Sequence, residues 1–318
     1  YKLVEWVVGD RVVLEANPSY WRKAAIAKRI VWKTIPDSQT RVAALLRGEV
    51  DAITNLPIPL EDQVKNNAST TIYSELGSFT HKIIFNTREP GPLQDKRVRQ
   101  ALNHAVNKQA ILDALYKGHG KLETSIIVQQ LGGFAPSQPY AYDPAKAKQL
   151  LTEAGFANGF ETTLHVPVAR YALAEEAVQA IAGDLEKVGV KAKIQPGEWA
   201  VYNSTAAAHK LSGMFYYPFS HLLWEPDQIF GYFLEEGQRW NYFISKGQLR
   251  ENILAQRKEF DATKRAQFQA EVQKELWDEA PWLFLYQIDE LFGLNKNVKN
   301  FRMAADQVLR VEQAYAEK

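Results

Sequence analysis

Apolar and polar residues follow two regimes along this chain. Short β-branched and aromatic runs with a period of two mark both ends, and apolar stripes with a period near 3.6 fill the middle. "WVVGDRVVLEANPSYW", residues 6 to 21, opens the pattern. Trp6-Val7-Val8 and Arg11 to Leu14 read as strands, Gly9-Asp10 as their turn, and Asn17-Pro18-Ser19 as a stop, since proline cannot extend a sheet ladder. "RIVWKTIP" predicts another strand. "DSQTRVAALLRGEVDAIT" predicts a helix capped by Asp37 or Ser38, with Val42, Leu45 and Leu46 inward, Gly48 at its end and a short strand behind it. "PLEDQVKNN" reads as a short helix, and "STTIYSEL" and "HKIIFNT" as two strands.

Helical spacing takes over at "REPGPLQDKRVRQALNHAVNKQAILDALYKGHG". Val98, Ala101, Leu102, Ala105 and Val106 mark one helix, and Asn107 caps a second that carries Ile111 and Leu115. A loop rich in Gly, Ser and Pro spans about 118 to 140. In "YDPAKAKQLLTEAGF", Asp143 is the N-cap, Pro144 suits the first turn, Leu150 and Leu151 face inward, and Gly155 ends the helix. A βαβ unit follows: "ETTLHVPV", a helix with Val178, Ile181, Leu185 and Val188 on one face, and "VKAKI" returning. "EWAVYNSTAAAHKLSG" predicts a helix and "MFYYPF" an aromatic strand. "KGQLRENILAQRKEF" and "DATKRAQFQAEVQKELWDEA" predict a helix pair, and "WLFLYQI" after Pro281 a long strand. This order predicts an α/β fold in two lobes, the chain leaving the first near 90 and returning near 283, with ligand bound between them.

Composition narrows the function. A length of 318 residues exceeds one ordinary core, and a net charge of +1 provides no field for nucleic acid or an anionic membrane. The basic "DKRVRQ" reads as a solvated helix face. With no cysteine there is no disulfide scaffold, thiolate metal site or cysteine nucleophile. No apolar run approaches the ~20 residues that span a bilayer. Aromatic residues make up 12% of the chain; they fill cores first, and the remainder point to a groove that stacks on a ligand.

Catalytic constellations are sparse. The six histidines show no metal-ligand spacing, and no nucleophile elbow, P-loop or dinucleotide motif occurs. Gly132-Gly133 has no phosphate-binding context, and Glu175-Glu176 and Glu235-Glu236 read as solvated faces. Glu161, His165 and Asp227 are the residues whose convergence would support the alternative function, a hydrolase acting on a sugar or amide. Its mark is a carboxylate pair ~5 to 10 Å apart across a pocket.

Five stretches share a further property. "YKLVEWVVGDRVVLEANPSYW", "IPDSQTRVAALLRGEVDAI", "IIFNTREPGPLQDKRVRQALNHAVNKQAIL", "YDPAKAKQLLTEAGF" and "EAPWLFLYQ" occur in this order. Together they resemble the bacterial extracellular solute-binding proteins of family 5, the substrate-binding components of ABC importers for peptides, nickel and oligosaccharides. The resemblance implies a two-lobed α/β periplasmic-binding-protein clamshell (type II, large peptide-binding subclass), with lobe one at 1–90 and 283–318 and lobe two at 91–282. A small solute, peptide-like or sugar-like, would close the lobes and pass to a membrane permease, with no cofactor, no metal and no enzymatic step. It also implies a periplasmic or extracellular address, lipid-anchored in a Gram-positive cell. In the family an N-terminal portion precedes the opening hairpin, so the chain reads as truncated at the N-terminus, with the hairpin's partners outside it.

The same resemblance singles out ligand-binding candidates. Peptide-binding members hold the peptide amine with a carboxylate shortly before an acidic-Pro pair. The matching "YYPFSHLLWEPDQIF" has Glu225-Pro226-Asp227 but no acid from Tyr217 to Trp224, which implies a solute other than a free-amine peptide. Tyr217, Ser220, His221 and Trp224 remain there as polar and stacking candidates; for Trp224, packing within its own lobe is the alternative. Arg170 and Tyr171 follow a strand end, where a guanidinium suits a carboxylate or phosphate, or else a surface salt bridge. Trp240 and Tyr242 add rings, and Asn86 and Tyr286 lie near the two crossings.

Overall fold

The protein is described here from a computed structural model covering residues 1–221, 223–234, 238–304 and 308–317. Valine-rich β1 (Lys2–Val7) and β2 (Arg11–Glu15) form the opening hairpin, and β3 (Arg29–Lys33) adds to β2 in a three-stranded antiparallel sheet. Asp37 caps α1 (Ser38–Leu46), its carboxylate accepting from the Thr40 N–H at 2.7 Å. β4 (Ala52–Ile53) and α2 (Glu61–Lys65) follow. β5 (Thr70–Phe85) is one 16-residue strand where the sequence predicts two; Gly77 stays in strand conformation, so nothing turns the chain.

The middle section is built from capped helices. Asp95 caps α3 (Lys96–Ala105) and Asn107 caps α4 (Lys108–Tyr116). β6 (Gly120–Leu122) interrupts the loop before α5 (Pro144–Glu153), which Asp143 caps. The βαβ unit is β7 (Phe160–Pro167), α6 (Ala174–Glu186) and β8 (Val190–Gly197), with the two strands parallel. Then come α7 (Trp199–Ala207), β9 (Met214–Tyr216), β10 (Phe219–Ser220), α8 (Asp227–Phe230), α9 (Gly247–Lys258) and α10 (Ala262–Glu279). Pro218 splits the predicted aromatic strand into β9 and β10. β11 (Trp282–Asn295) is 14 residues long, and two small antiparallel pairs lie beyond it.

Two compact units result: Tyr1–Gly77 with Asp289–Lys318, and Ser78–Ile288. The boundaries fall inside β5 and β11, earlier than 90 and later than 283. The physical reason lies in the second unit, whose sheet runs β11-β5-β9-β7-β8 with β6 on β11 and β10 on β5. Ile83 and Phe85 face one core with Leu283 and Leu285; Ile84 faces a second with Trp282 and Phe284. This alternation buries both faces, so these stretches are central strands of the second unit. The first core takes Leu102, Leu112, Val178 and Leu185 from the helices, and the second takes Phe230, Ile253, Leu276 and Trp277. In the first unit, α1 and α2 close a smaller core of Val42, Leu45, Ile53, Val64 and Leu291.

Candidate ligand site

Three strands of the second unit share one direction: β7 is parallel to β8 and to β9. Their C-terminal ends therefore emerge at one sheet edge, where parallel sheets commonly take ligands. Arg170 and Tyr171 follow β7, Trp199 follows β8 as the first residue of α7, and Tyr217 follows β9. A segment before α9 adds Arg239 and Trp240. These residues form a row. The Arg170 guanidinium lies 5.0 Å from the Tyr171 ring centre and 4.9 Å from that of Trp199. Trp199 and Tyr217 are 6.1 Å apart, Tyr217 and Trp240 4.5 Å apart, and Arg239 lies 5.3 Å from Trp240. The four rings are half-buried and both arginines are exposed. Such a surface stacks on planar or apolar groups and attracts negative charge.

Local backbone strain holds the row. Ala169, Leu173 and Trp240 have left-handed φ values of 52°, 58° and 68° without being glycine. Each costs ~1 to 3 kcal/mol, and such residues cluster at ligand clamps. Tyr217 donates from its hydroxyl to Asn203 at 3.2 Å.

Arg170, Tyr171, Tyr217 and Trp240 are thus brought together. The remaining candidates are not part of the row. Asn86 is buried, donating to the Leu211 carbonyl at 2.9 Å and accepting from the Arg88 N–H. Tyr242 is buried against Phe215 and donates to the Ala206 carbonyl at 2.8 Å. Tyr286 is buried between His81 and Tyr116. His221 is buried, its Nδ1 3.2 Å from the Ser78 carbonyl oxygen. As placed, these four line no open surface, and their packing holds the sheet. Ser220 pairs through its backbone with Phe79, and Trp224 packs on the second core.

Two row residues, Trp199 and Arg239, escape the sequence reading. The signal for Trp199 is its place directly after a strand of the βαβ unit, level with Arg170.

The acids of the Glu225-Pro226-Asp227 stretch are engaged. Glu225 pairs with Arg265 at 2.5 Å, and Asp227 with Arg257 at 2.7 Å and with the Gln256 amide. Glu161 is exposed beside Lys191 and His165 sits within β7, so the hydrolase trio is divided among separate contacts. Glu235 and Glu236 lie outside the described residues. A cavity of about 540 Å³ beside α10 is lined by Arg99, Phe243, Lys246, Glu275, Asp278 and Glu279. Asp278 pairs there with Lys96, and Glu279 with Arg99. Among the described residues, no group of three His, Asp or Glu side chains could hold a metal ion, and no helix is long and apolar enough to cross a membrane.

A buried polar cluster sits deeper. Lys82 on β5 lies 3.3 Å from Glu123, and its ammonium is 4.1 Å from the Trp282 ring centre. Burial pushes the Glu123 carboxyl up to about 7 against the pull of Lys82, and burial draws the Lys108 ammonium down to about 7. His81 and His221 are lowered to about 3, by burial first and then by the charge of Lys82.

Comparison with known proteins gives one consistent result. The profile of the bacterial extracellular solute-binding proteins, family 5 (middle part), matches residues 1–241. The glutathione-binding protein GsiB of Salmonella typhimurium is 29% identical over 320 residues, covering 96% of this chain and 61% of the relative. The heme-binding protein A of Haemophilus influenzae is 33% identical over 216 residues, 67% of this chain and 39% of the relative. Among solved structures, HbpA2 of Haemophilus parasuis superposes with a TM-score of 0.88 at 26% identity, over 99% of this chain and 63% of the other. A putative peptide-binding protein AppA of Clostridium difficile reaches a TM-score of 0.90 at 23% identity, over 99% and 67%. The chain spans about three-fifths of the length of the glutathione-binding relatives it matches.

Proposed function

The chain belongs to the bacterial extracellular solute-binding proteins of family 5, and from that membership we propose that it is the solute-binding component of an ABC importer. It captures a small peptide-like or sugar-like solute and delivers it to a membrane permease, without chemistry on the solute. The place of work is the periplasm or the cell exterior, with a lipid anchor in a Gram-positive cell. The two compact units serve as the lobes, and the second supplies the aromatic contacts.

The observation that carries this reading is the row Tyr171, Trp199, Tyr217 and Trp240 at the C-terminal edge of three parallel strands. The carboxylates near that row are engaged: Glu225 and Asp227 are ion-paired with α10 and α9, Glu198 caps α7 beside Trp199, and Glu175 accepts from the Ala169 N–H. A free α-amine thus lacks its counter-charge there. A peptide whose α-amine is blocked, or neutralised by its own adjacent carboxylate as in a side-chain-linked γ-glutamyl peptide, fits better, and the glutathione-binding relatives make glutathione the natural first probe.

Isothermal titration of the full-length protein against glutathione, di- and tripeptides and oligosaccharides tests the proposal. We expect binding of a blocked or side-chain-linked peptide or of a sugar, weakened about tenfold or more by Trp199→Ala or Trp240→Ala. Sub-micromolar binding of unmodified peptides, indifferent to both substitutions, overturns this reading of the site.

We infer also that further chain covers the β1–β3 face of the first unit. Leu3 and Trp6 on β1, Val8 in its turn and Trp21 after β2 are exposed, and a groove of about 700 Å³ lies beside β3.

A further inference from the structure

The two ends of the aromatic row are alike. Arg170 lies against Trp199 and Arg239 against Trp240, both exposed. Neither guanidinium has a carboxylate partner among the described residues. Arg11, Arg47, Arg97, Arg99, Arg257 and Arg265 are ion-paired, Arg41 and Arg250 bond backbone carbonyls, and Arg22 stacks on Trp21. Among the described residues these two guanidinium groups thus keep open donor faces at one sheet edge.

The two charges also meet on a common neighbour. Burial raises the pKa of the Tyr217 hydroxyl, Tyr171 and Tyr232 raise it further, and Arg239 and Arg170 pull it back. Two like charges around one phenol repel each other, and negative charge placed among them relieves the repulsion. The backbone points the same way, since left-handed Ala169 precedes Arg170 and left-handed Trp240 follows Arg239. Strain of this kind persists where the surroundings fix a side chain in one position.

Resting on the solute-binding reading above, we propose that this edge selects a solute with two carboxylates, one taken by Arg170 and one by Arg239, with its body packed on Trp199, Tyr217 and Trp240. A guanidinium presents a planar fork that meets a carboxylate with two parallel hydrogen bonds, a match that an ammonium cannot make. The rings supply area that tolerates variation in the body, so charge number and spacing become the selected property.

Three isosteric probes separate charge from shape: N-succinyl-Phe-Gly with a carboxylate at each end, its C-terminal amide with one, and its diamide with none. They are titrated into the full-length protein by calorimetry and by tryptophan fluorescence, at low and at physiological salt. We expect affinity to fall about tenfold with each carboxylate removed, and salt to weaken the dianion most. Arg170→Gln and Arg239→Gln should each cost the dianion about tenfold and leave the diamide unchanged, a split that loss of fold would not produce. Equal affinity for dianion and diamide, or arginine variants without effect on the dianion, overturns the dicarboxylate inference and leaves solute capture standing. Failure of all three probes while an oligosaccharide binds has the same meaning. Failure of every probe, glutathione and sugars included, removes solute capture and this inference together.

Discussion

His81 and His221 are closed off from solvent in the second unit, one bonded to the Tyr216 hydroxyl and the other to the Ser78 carbonyl. Both stay neutral until about pH 3 when folded, against an ordinary value of 6.5. Between those values the unfolded chain binds more protons, so stability is lost as pH falls from about 6.5 toward about 3, by up to ~1.4 kcal/mol per pH unit for each histidine. Glu123 acts in the opposite sense. Raised from 4.5 to about 7, its folded form keeps a proton that the unfolded form has lost, so its contribution declines as pH rises through that window. Lys108, lowered from 10.5 to about 7, adds stability as pH rises above 7. Two histidines oppose one glutamate below 6.5, so the net slope there is positive. Glu123→Gln should therefore steepen the rise of unfolding free energy between pH 4.5 and 6.5. Urea unfolding across that range checks it, and an unchanged or flatter slope in the variant would contradict the assignment. By the same linkage the ionised Glu123 carboxyl adds no stability at pH 7, so Glu123→Gln, which keeps the shape of the protonated acid, should be no less stable than the parent there.

At the scale of elements, Gly159 and Gly189 stand where β7 and β8 begin side by side. Gly159 has φ +73°, and a Cβ there would lie 1.9 Å from the Gly189 carbonyl oxygen. Gly155 is also left-handed, at φ +90°, but a Cβ would meet nothing within 4 Å. Gly155→Ala should cost only the left-handed penalty, ~1 to 2 kcal/mol. Gly159→Ala should cost clearly more, because two backbones must part. Chemical denaturation of the pair checks the ranking, and equal losses would show that the strands yield freely. Helix starts were readable because capping is local: Asp37, Asn107 and Asp143 accept from the N–H groups of Thr40, Ala110 and Lys146. Strand β5 reads as two in sequence, since an extended glycine such as Gly77 looks like a turn until its backbone is seen. Tyr217, Trp240, Arg170 and Tyr171 stand out as rings and a cation beside element ends. Trp199 does not, because its one mark, a place directly after the returning βαβ strand, does not say which residues it faces. Only the parallel register of β7 and β8 puts it beside Arg170. Asn86 and Tyr242 satisfy the buried carbonyls of Leu211 and Ala206, and Tyr286 packs between His81 and Tyr116; in sequence such a side chain reads the same whether it meets a ligand or the protein's own interior.

The whole chain presents a contrast between its units. The second buries most of its large apolar residues on both faces of a sheet and exposes Phe260, Leu223 and Val201 singly, whereas the first leaves Leu3 60%, Trp6 68%, Val8 84% and Trp21 77% exposed in one stretch. These four lie within a stretch of 19 residues that includes the edge strand β1. Single exposed apolar residues are ordinary, but a run of them on an unpaired edge is an association surface. Polypeptide 1–318 on its own should therefore self-associate as concentration rises and bind an apolar dye. Trp6→Ser together with Trp21→Ser should reduce both, while leaving solute binding by the second unit's row unchanged. A longer polypeptide that supplies the proposed cover should show neither behaviour. Sedimentation velocity over a hundredfold concentration range, with dye fluorescence on the same samples, separates these cases. A monodisperse 1–318 polypeptide that binds no dye would mean that the face is stable in water as it stands, and the covering segment would then have no physical reason to be there.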